Sequence, residues 1–318
     1  MRQRRLTTIL AIAGVAVAVI GCTSGGGGGS AAASAAPAVA ASPGALASAG
    51  APPAGRDFLK NVDIGGRSLS IACVGPTDTG RPTVIFEAGL GGDKRVWSDV
   101  LSSLQATDRA CSYDRAGVGM SKPGPIPQTT DGQVDDLRKL LSAVGVKPPY
   151  VLVGYSVGGW NVLVHAGRYP KDVVGVVMVD VRPPLVSDAF RKALPPKAAG
   201  ESEAIRQTRE DLTEWEYDPS GNPEGLDLIK SAAQAAASPG FGDDPLVVLV
   251  AGEKEDDGLP ASLAATFDRI WMDQVAMLTK LSSKGRQEIV PGATHDLPYE
   301  QPEVVLDAVH EVLGEAAG

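Results

Sequence analysis

Gly154-Tyr155-Ser156-Val157-Gly158 sets a hydroxyl between two glycines, directly after the apolar run Tyr150 to Val153 and directly before a stretch with helical periodicity. Strand, Gly-x-Ser-x-Gly and helix in that order describe a sharp turn that pushes a serine hydroxyl outward as a nucleophile. Gly154 and Gly158 suit such a turn, because a Cβ at either place would collide where strand and helix cross. The helix behind Ser156 would aim its positive dipole end at the place where negative charge develops on an attacked carbonyl.

A serine hydroxyl is a weak nucleophile at neutral pH and needs a base within hydrogen-bonding reach, which in this chemistry is a histidine. The chain has three. His165 lies in the same predicted helix as the residues after Ser156, roughly 13 Å further along its axis, and cannot reach back. His310 falls in the periodic stretch Val304 to Leu313 and reads as a helix-packing residue. His295 stands in the loop Val290-Pro291-Gly292-Ala293-Thr294-His295, between the last apolar run and the terminal helix.

The elements that must hold these groups alternate. Short runs rich in Val and Ile fall at Leu69 to Val74, Thr83 to Glu87, Ala110 to Tyr113, Tyr150 to Gly154, Val173 to Val179, Leu246 to Val250 and Gln287 to Val290. Helical periodicity fits Trp97 to Gln105, Asp131 to Val144, Val157 to Arg168, Leu263 to Leu281 and Glu303 to Leu313. This is the α/β pattern of a mostly parallel sheet covered on both faces. An antiparallel pair opens it, Phe58 to Ile64 turning through Gly65-Gly66 into Leu69. Residues 183–244 break the rhythm with prolines and with amphipathic stretches such as Glu203 to Trp215 and Leu226 to Ala236, the pattern of an inserted helical lid.

With those elements around it, the serine motif resembles that of the α/β-hydrolase fold family, over nearly the whole chain from Arg56 onward. Phe86-Glu87-Ala88-Gly89-Leu90-Gly91-Gly92 is similar to the family's His-Gly loop after the third strand, with Ala88 where the family usually has His. Tyr113-Asp114-Arg115-Ala116-Gly117-Val118-Gly119-Met120-Ser121 resembles the loop after the fourth strand, whose glycines and ion-pairing residues shape the site wall. The resemblance implies His295 as the base and the N–H groups of Leu90 and Val157 as an oxyanion hole. For the acid that orients His295 it offers two residues. Glu255, three after Gly252 in the loop behind Leu246 to Val250, is preferred, although the family usually has Asp there. Asp180, at the end of Val173 to Val179, is the rival, matching lipases that carry the acid on the preceding strand.

The implied reaction is cleavage of a carboxylic ester or related acyl bond of a small-molecule substrate through an acyl-enzyme, with no metal or organic cofactor. A serine nucleophile disfavours the epoxide hydrolases and dehalogenases of this fold, which use Asp at that place. The alternative from another class is a non-catalytic lipoprotein that holds an apolar ligand in the lid cleft. Acids outnumber bases 38 to 29, for a net charge of -9, which argues against an extended phosphate-binding surface and so against a nucleic-acid partner.

The N-terminus carries Arg2, Arg4 and Arg5, then an apolar stretch from Leu6 to Ile20, too short to span a bilayer comfortably, as in a secretory signal over residues 1–21. Val19-Ile20-Gly21-Cys22 resembles the lipobox of bacterial lipoproteins, which implies a lipidated Cys22 as mature N-terminus and an exported protein anchored to the outer face of a bacterial membrane. Residues 22–55, rich in Gly, Ala, Ser and Pro, form a flexible tether to one domain over residues 56–318. Outside the cytoplasm the remaining cysteines invite a disulfide. In the strand order of the resembling family Cys73 and Cys111 lie on neighbouring strands, which implies a cross-strand bridge.

Overall fold

The computed structural model describes residues 57–77, 79–254 and 257–316. The expected leader, Cys22, the tether and Glu255 all lie outside these described residues.

Strands β1 (Phe58–Asp63) and β2 (Ser68–Val74) form the antiparallel pair anticipated from the Gly65-Gly66 turn. They are followed by β3 (Thr83–Glu87), β4 (Ala110–Tyr113), β5 (Tyr150–Tyr155), β6 (Val173–Val179), β7 (Leu246–Ala251) and β8 (Gly285–Val290). The eight lie in one sheet in the order β1-β2-β4-β3-β5-β6-β7-β8. Every pairing from β4 to β8 is parallel. Cys73 and Cys111 are register partners across β2 and β4 and form a disulfide, with Cα atoms 4.1 Å apart.

Side chains alternate between two apolar layers, as the twofold period of a strand requires. Val151, Val153, Val177, Val179, Val247 and Leu249 point to one face, where α1 (Ser98–Leu104) and α9 (Pro302–Ala316) cover them. Leu152, Val176, Met178, Val248 and Val250 point to the other, under α2 (Thr130–Val144) and α3 (Gly158–Arg168). Nearly all of these side chains are fully buried, each contributing roughly 1.5–3 kcal/mol of transfer free energy. Helix α2 begins where Thr129 Oγ1 accepts the Gly132 N–H and ends on Gly145 in the left-handed region.

Between β6 and β7 the chain inserts α4 (Val186–Ala193), α5 (Glu203–Thr213) and α6 (Leu228–Ala236). The last two are the expected amphipathic stretches. Helix α4 was not among the stretches singled out; it is only eight residues long, between Pro183-Pro184 and Pro195-Pro196, although Val186 and Phe190 share one of its faces. A separate small core holds it: Val186 and Phe190 pack with Leu212 and with Phe267 of α7 (Ala261–Thr279), the two phenyl rings stacked 4.2 Å apart.

Helix α8 (Leu297–Glu300) precedes α9. On α9 one sequence expectation fails. His310 is exposed, its side chain 44% accessible, because Val305, Val309 and Val312 form the inward stripe and the residue after Val309 turns about 100° away from it. Among the described residues no helix is long and apolar enough to cross a membrane.

Candidate active site

Two described non-glycine residues have positive φ, and both are polar residues at the C-terminal ends of neighbouring strands: Ser156, at 52°, and Asp180, at 39°. Such backbone is strained for an L-residue and persists only where the surroundings fix it. Ser156 is fixed by its own N–H on Val179 O at 3.1 Å and by its carbonyl, which accepts the N–H groups of Gly159 and Arg182. Asp180 is fixed by its N–H on Leu249 O at 2.9 Å, while its Oδ1 accepts the Ala251 N–H at 3.0 Å. The turn after β5 requires both of its glycines, for different reasons. A Cβ on Gly154 would meet Gly159 Cα at 2.8 Å, the strand–helix crossing anticipated from the motif. One on Gly158 would lie 2.2 Å from the carbonyl oxygen of Ala88, in the loop behind β3.

His295 arrives from the loop between β8 and α8. That loop is pinned where the Thr294 N–H and hydroxyl both donate to Glu300, at 2.7 and 2.9 Å, and where Ala293 O accepts the Glu253 N–H. The imidazole lies beside the Tyr155 ring, centroids 5.0 Å apart. Its Nδ1 is 2.6 Å from Asp180 Oδ2 and its Nε2 is 3.0 Å from Ser156 Oγ. With Nδ1 protonated and donating to Asp180, Nε2 becomes an acceptor aimed at the serine hydroxyl.

Of the two acids weighed from sequence, Asp180 is the one beside His295, whereas Glu255, the preferred residue, lies outside the described residues. His165 is buried in α3 between Tyr150 and Tyr169, away from this group. Burial, with Arg138 nearby, lowers its pKa to about 4. Among the described residues no group of three or more His, Cys, Asp or Glu side chains could hold a metal ion.

The loop that carries Leu90 lies against Ser156. A Cβ added to Gly89 would be 3.3 Å from Ser156 Cβ, and Gly92 closes the turn by donating to Gly89 O at 3.0 Å. Val157 is the N-cap of α3, next to the first turn, where N–H groups lack intrahelical acceptors.

Behind this loop is a charged assembly that sequence reading reduced to a site wall. Arg115, 3% exposed, donates to the carbonyls of Ala88 and Gly89, both at 2.6 Å. It also makes a two-pronged pair with Glu224 of the insertion, at 2.7 and 2.6 Å. Burial alone would lower the pKa of its guanidinium, but Glu224 more than offsets this and holds it above the ordinary value. Glu87, fully buried at the end of β3, accepts from Tyr113 Oη at 2.6 Å, Asn161 Nδ2 at 3.1 Å and Arg115 Nη1 at 3.3 Å. Burial raises its pKa against these donors. Glu224 had no distinguishing signal in the chain, whereas Glu87 stood out as a charged residue ending the apolar run of β3. Arg115 too had a signal, its place beside Asp114 in the glycine-rich loop.

The model of the alpha/beta hydrolase family matches residues 84–308, which contain every group just described. The chain belongs to the alpha/beta hydrolase family. Membership supports hydrolysis as its general chemistry. Among curated relatives it is 27% identical to the uncharacterized protein YqjL of Bacillus subtilis, over 72% of this chain and 83% of that one. It is 31% identical to an AB hydrolase superfamily protein of Gibberella zeae over a shorter stretch, 39% of this chain and 42% of that one.

Among solved structures, a thermophilic esterase from Thermogutta terrifontis superposes with a TM-score of 0.54 at 21% identity, over 82% of this chain and 99% of that one. A haloalkane dehalogenase loop variant from Bradyrhizobium elkanii gives 0.54 at 15% identity, over 82% and 97%. An esterase and a dehalogenase fitting equally well means that these likenesses report the alpha/beta hydrolase fold alone, and that the reaction must be argued from the site.

Proposed function

We propose that this alpha/beta hydrolase is a serine hydrolase that cleaves a carboxylic ester or related acyl bond through an acyl-enzyme. The supporting observation is the continuous hydrogen-bonded line from Asp180 through His295 to Ser156. In this reading Ser156 Oγ attacks the acyl carbon and passes its proton to His295 Nε2. Asp180 holds the ring in place and stabilises the imidazolium that forms. The N–H groups of Leu90 and Val157 take the oxyanion. His295 then protonates the leaving alcohol and activates the water that frees Ser156.

In this reading the acyl group enters the space beside Val157. A cavity of about 120 Å³ adjoins Val157 and is walled by Trp160, Leu185 and Ile229, with Arg182 and Glu216 among its polar residues. These charges are already paired, Arg182 Nη2 to Glu216 Oε1 at 2.5 Å, so the cavity suits a short acyl chain. The insertion supplies most of its wall and acts as the lid.

Covalent labelling by a fluorophosphonate, lost in Ser156→Ala, is the expected result. A folded protein that resists the reagent overturns this reading and favours ligand binding without turnover. The Cys73–Cys111 bridge supports an exported protein, since structural disulfides persist in oxidising compartments. Anchoring through Cys22 predicts incorporation of labelled palmitate that Cys22→Ser abolishes.

A further inference from the structure

The loop carrying the oxyanion donor Leu90 is gripped at both ends by two consecutive residues of the loop after β4. Arg115 takes the carbonyls of Ala88 and Gly89 at the near end. At the far end Asp114 accepts the Lys94 N–H at 2.8 Å and pairs with its Nζ at 2.7 Å. The middle of the loop is held from elsewhere. Gly91, at φ 71°, donates its N–H to Glu224 Oε1 at 2.7 Å.

Glu224 belongs to the insertion, and its presentation is built. Asn222 bridges the turn by accepting the Leu226 N–H at 2.9 Å and donating to the Leu226 carbonyl at 2.8 Å, with Gly225 in the left-handed region. The same turn docks on the core through Gln128 N–H to Gly225 O at 2.7 Å. The Glu224 carboxylate, 2% exposed, accepts from Gly91 N, both prongs of Arg115 and Gln133 Nε2. A buried carboxylate with four donors is costly to disturb, so the position of the oxyanion loop and the seating of the insertion depend on one another.

We propose that Glu224 is a positioning residue through which the lid sets the oxyanion donor: with the lid seated, Glu224 orients Arg115 and Gly91, and the backbone between them aims the Leu90 N–H at the reacting oxygen. This rests on the serine-hydrolase reading above. Loss of the carboxylate lets the loop relax by a fraction of an ångström, which weakens stabilisation of the tetrahedral intermediate and leaves ground-state binding in the acyl cavity intact.

The test uses Glu224→Gln, which preserves shape, and Glu224→Ala, with Ser156→Ala as control, on p-nitrophenyl butyrate. Both variants are expected to lose about tenfold to a hundredfold in kcat with KM nearly unchanged. Affinity for a trifluoromethyl ketone, which forms a tetrahedral oxyanion on Ser156, should weaken by the same factor. Variants with lowered Tm but parental kcat and ketone affinity would show that Glu224 only stabilises the fold, and would overturn the proposal. If Ser156→Ala retains turnover, the underlying reading fails instead. Should Glu224→Ala not fold, Glu224→Gln alone decides.

Discussion

Asp180 Oδ2 lies 2.6 Å from His295 Nδ1 although 115 residues separate them in the chain. Asp180→Asn keeps the shape and offers an amide where the ring needs an acceptor, favouring the wrong tautomer. Turnover of a p-nitrophenyl ester should fall by about 10⁴-fold, while Glu255→Ala stays near the parent. Equal activity of the two variants would remove Asp180 from the reaction.

Gly158 faces the carbonyl of Ala88 so closely that an added Cβ would sit 2.2 Å from it, and that obstacle is backbone. Gly158→Ala must therefore displace the Ala88–Gly92 turn or the start of α3. A loss of about 10²-fold in kcat is expected even in a folded protein, measured by single-turnover ester cleavage beside circular dichroism.

His165 is 1% exposed, and neither ring nitrogen has a hydrogen-bond partner among the described residues. Its pKa is lowered to about 4 in the fold and is near 6.5 when unfolded. Between these values the unfolded chain binds the extra proton, so stability is fully present above pH 6.5 and is lost as pH falls toward 4, up to about 3 kcal/mol at the acid end. His165→Phe, which keeps an aromatic ring between Tyr150 and Tyr169, should match the parent at pH 7.5 and exceed its Tm increasingly below pH 6. An identical pH profile for both proteins would refute this.

The disulfide closes a loop of 38 residues. Replacing Cys73 and Cys111 with alanine should cost about 4 kcal/mol, seen as a lower midpoint in urea. Dithiothreitol should shift the parent the same way and leave the double variant unmoved.

A cavity of about 120 Å³ should prefer short chains. Across p-nitrophenyl acetate to decanoate, kcat/KM is expected to peak at two to four carbons, on the order of the cavity's volume. Ile229→Ala, on the α6 wall, should move the optimum to longer chains. A flat profile would place the acyl group elsewhere.

The sheet was readable because its signal is local: a run such as Val173 to Val179 is too apolar and too short to be anything but a buried strand. Ser156 was readable for the same reason, since its motif and flanking elements are contiguous. The acid was not. Asp180 and the loop holding Glu255 both follow valine-rich strands, and what brings Asp180 to His295 is its left-handed backbone, a property residue type does not announce. Helix α4 was not singled out although Val186 and Phe190 are spaced for one helical face; it is only eight residues long and lies between two proline pairs. Glu224 escaped because Asn222-Pro223-Glu224-Gly225 resembles an ordinary surface turn; its burial is decided by Arg115, a residue 109 positions away.

That last pairing limits how the protein can be re-engineered or can diverge. A segment grafted from another hydrolase between β6 and β7 brings its own substrate wall but no Glu224, leaving the buried Arg115 guanidinium with only its longer, 3.3 Å contact to Glu87 as an ion pair. Transplants should succeed only when the donor's glutamate travels with its core arginine. In natural divergence the two positions should change together, tying the insertion to the core loop.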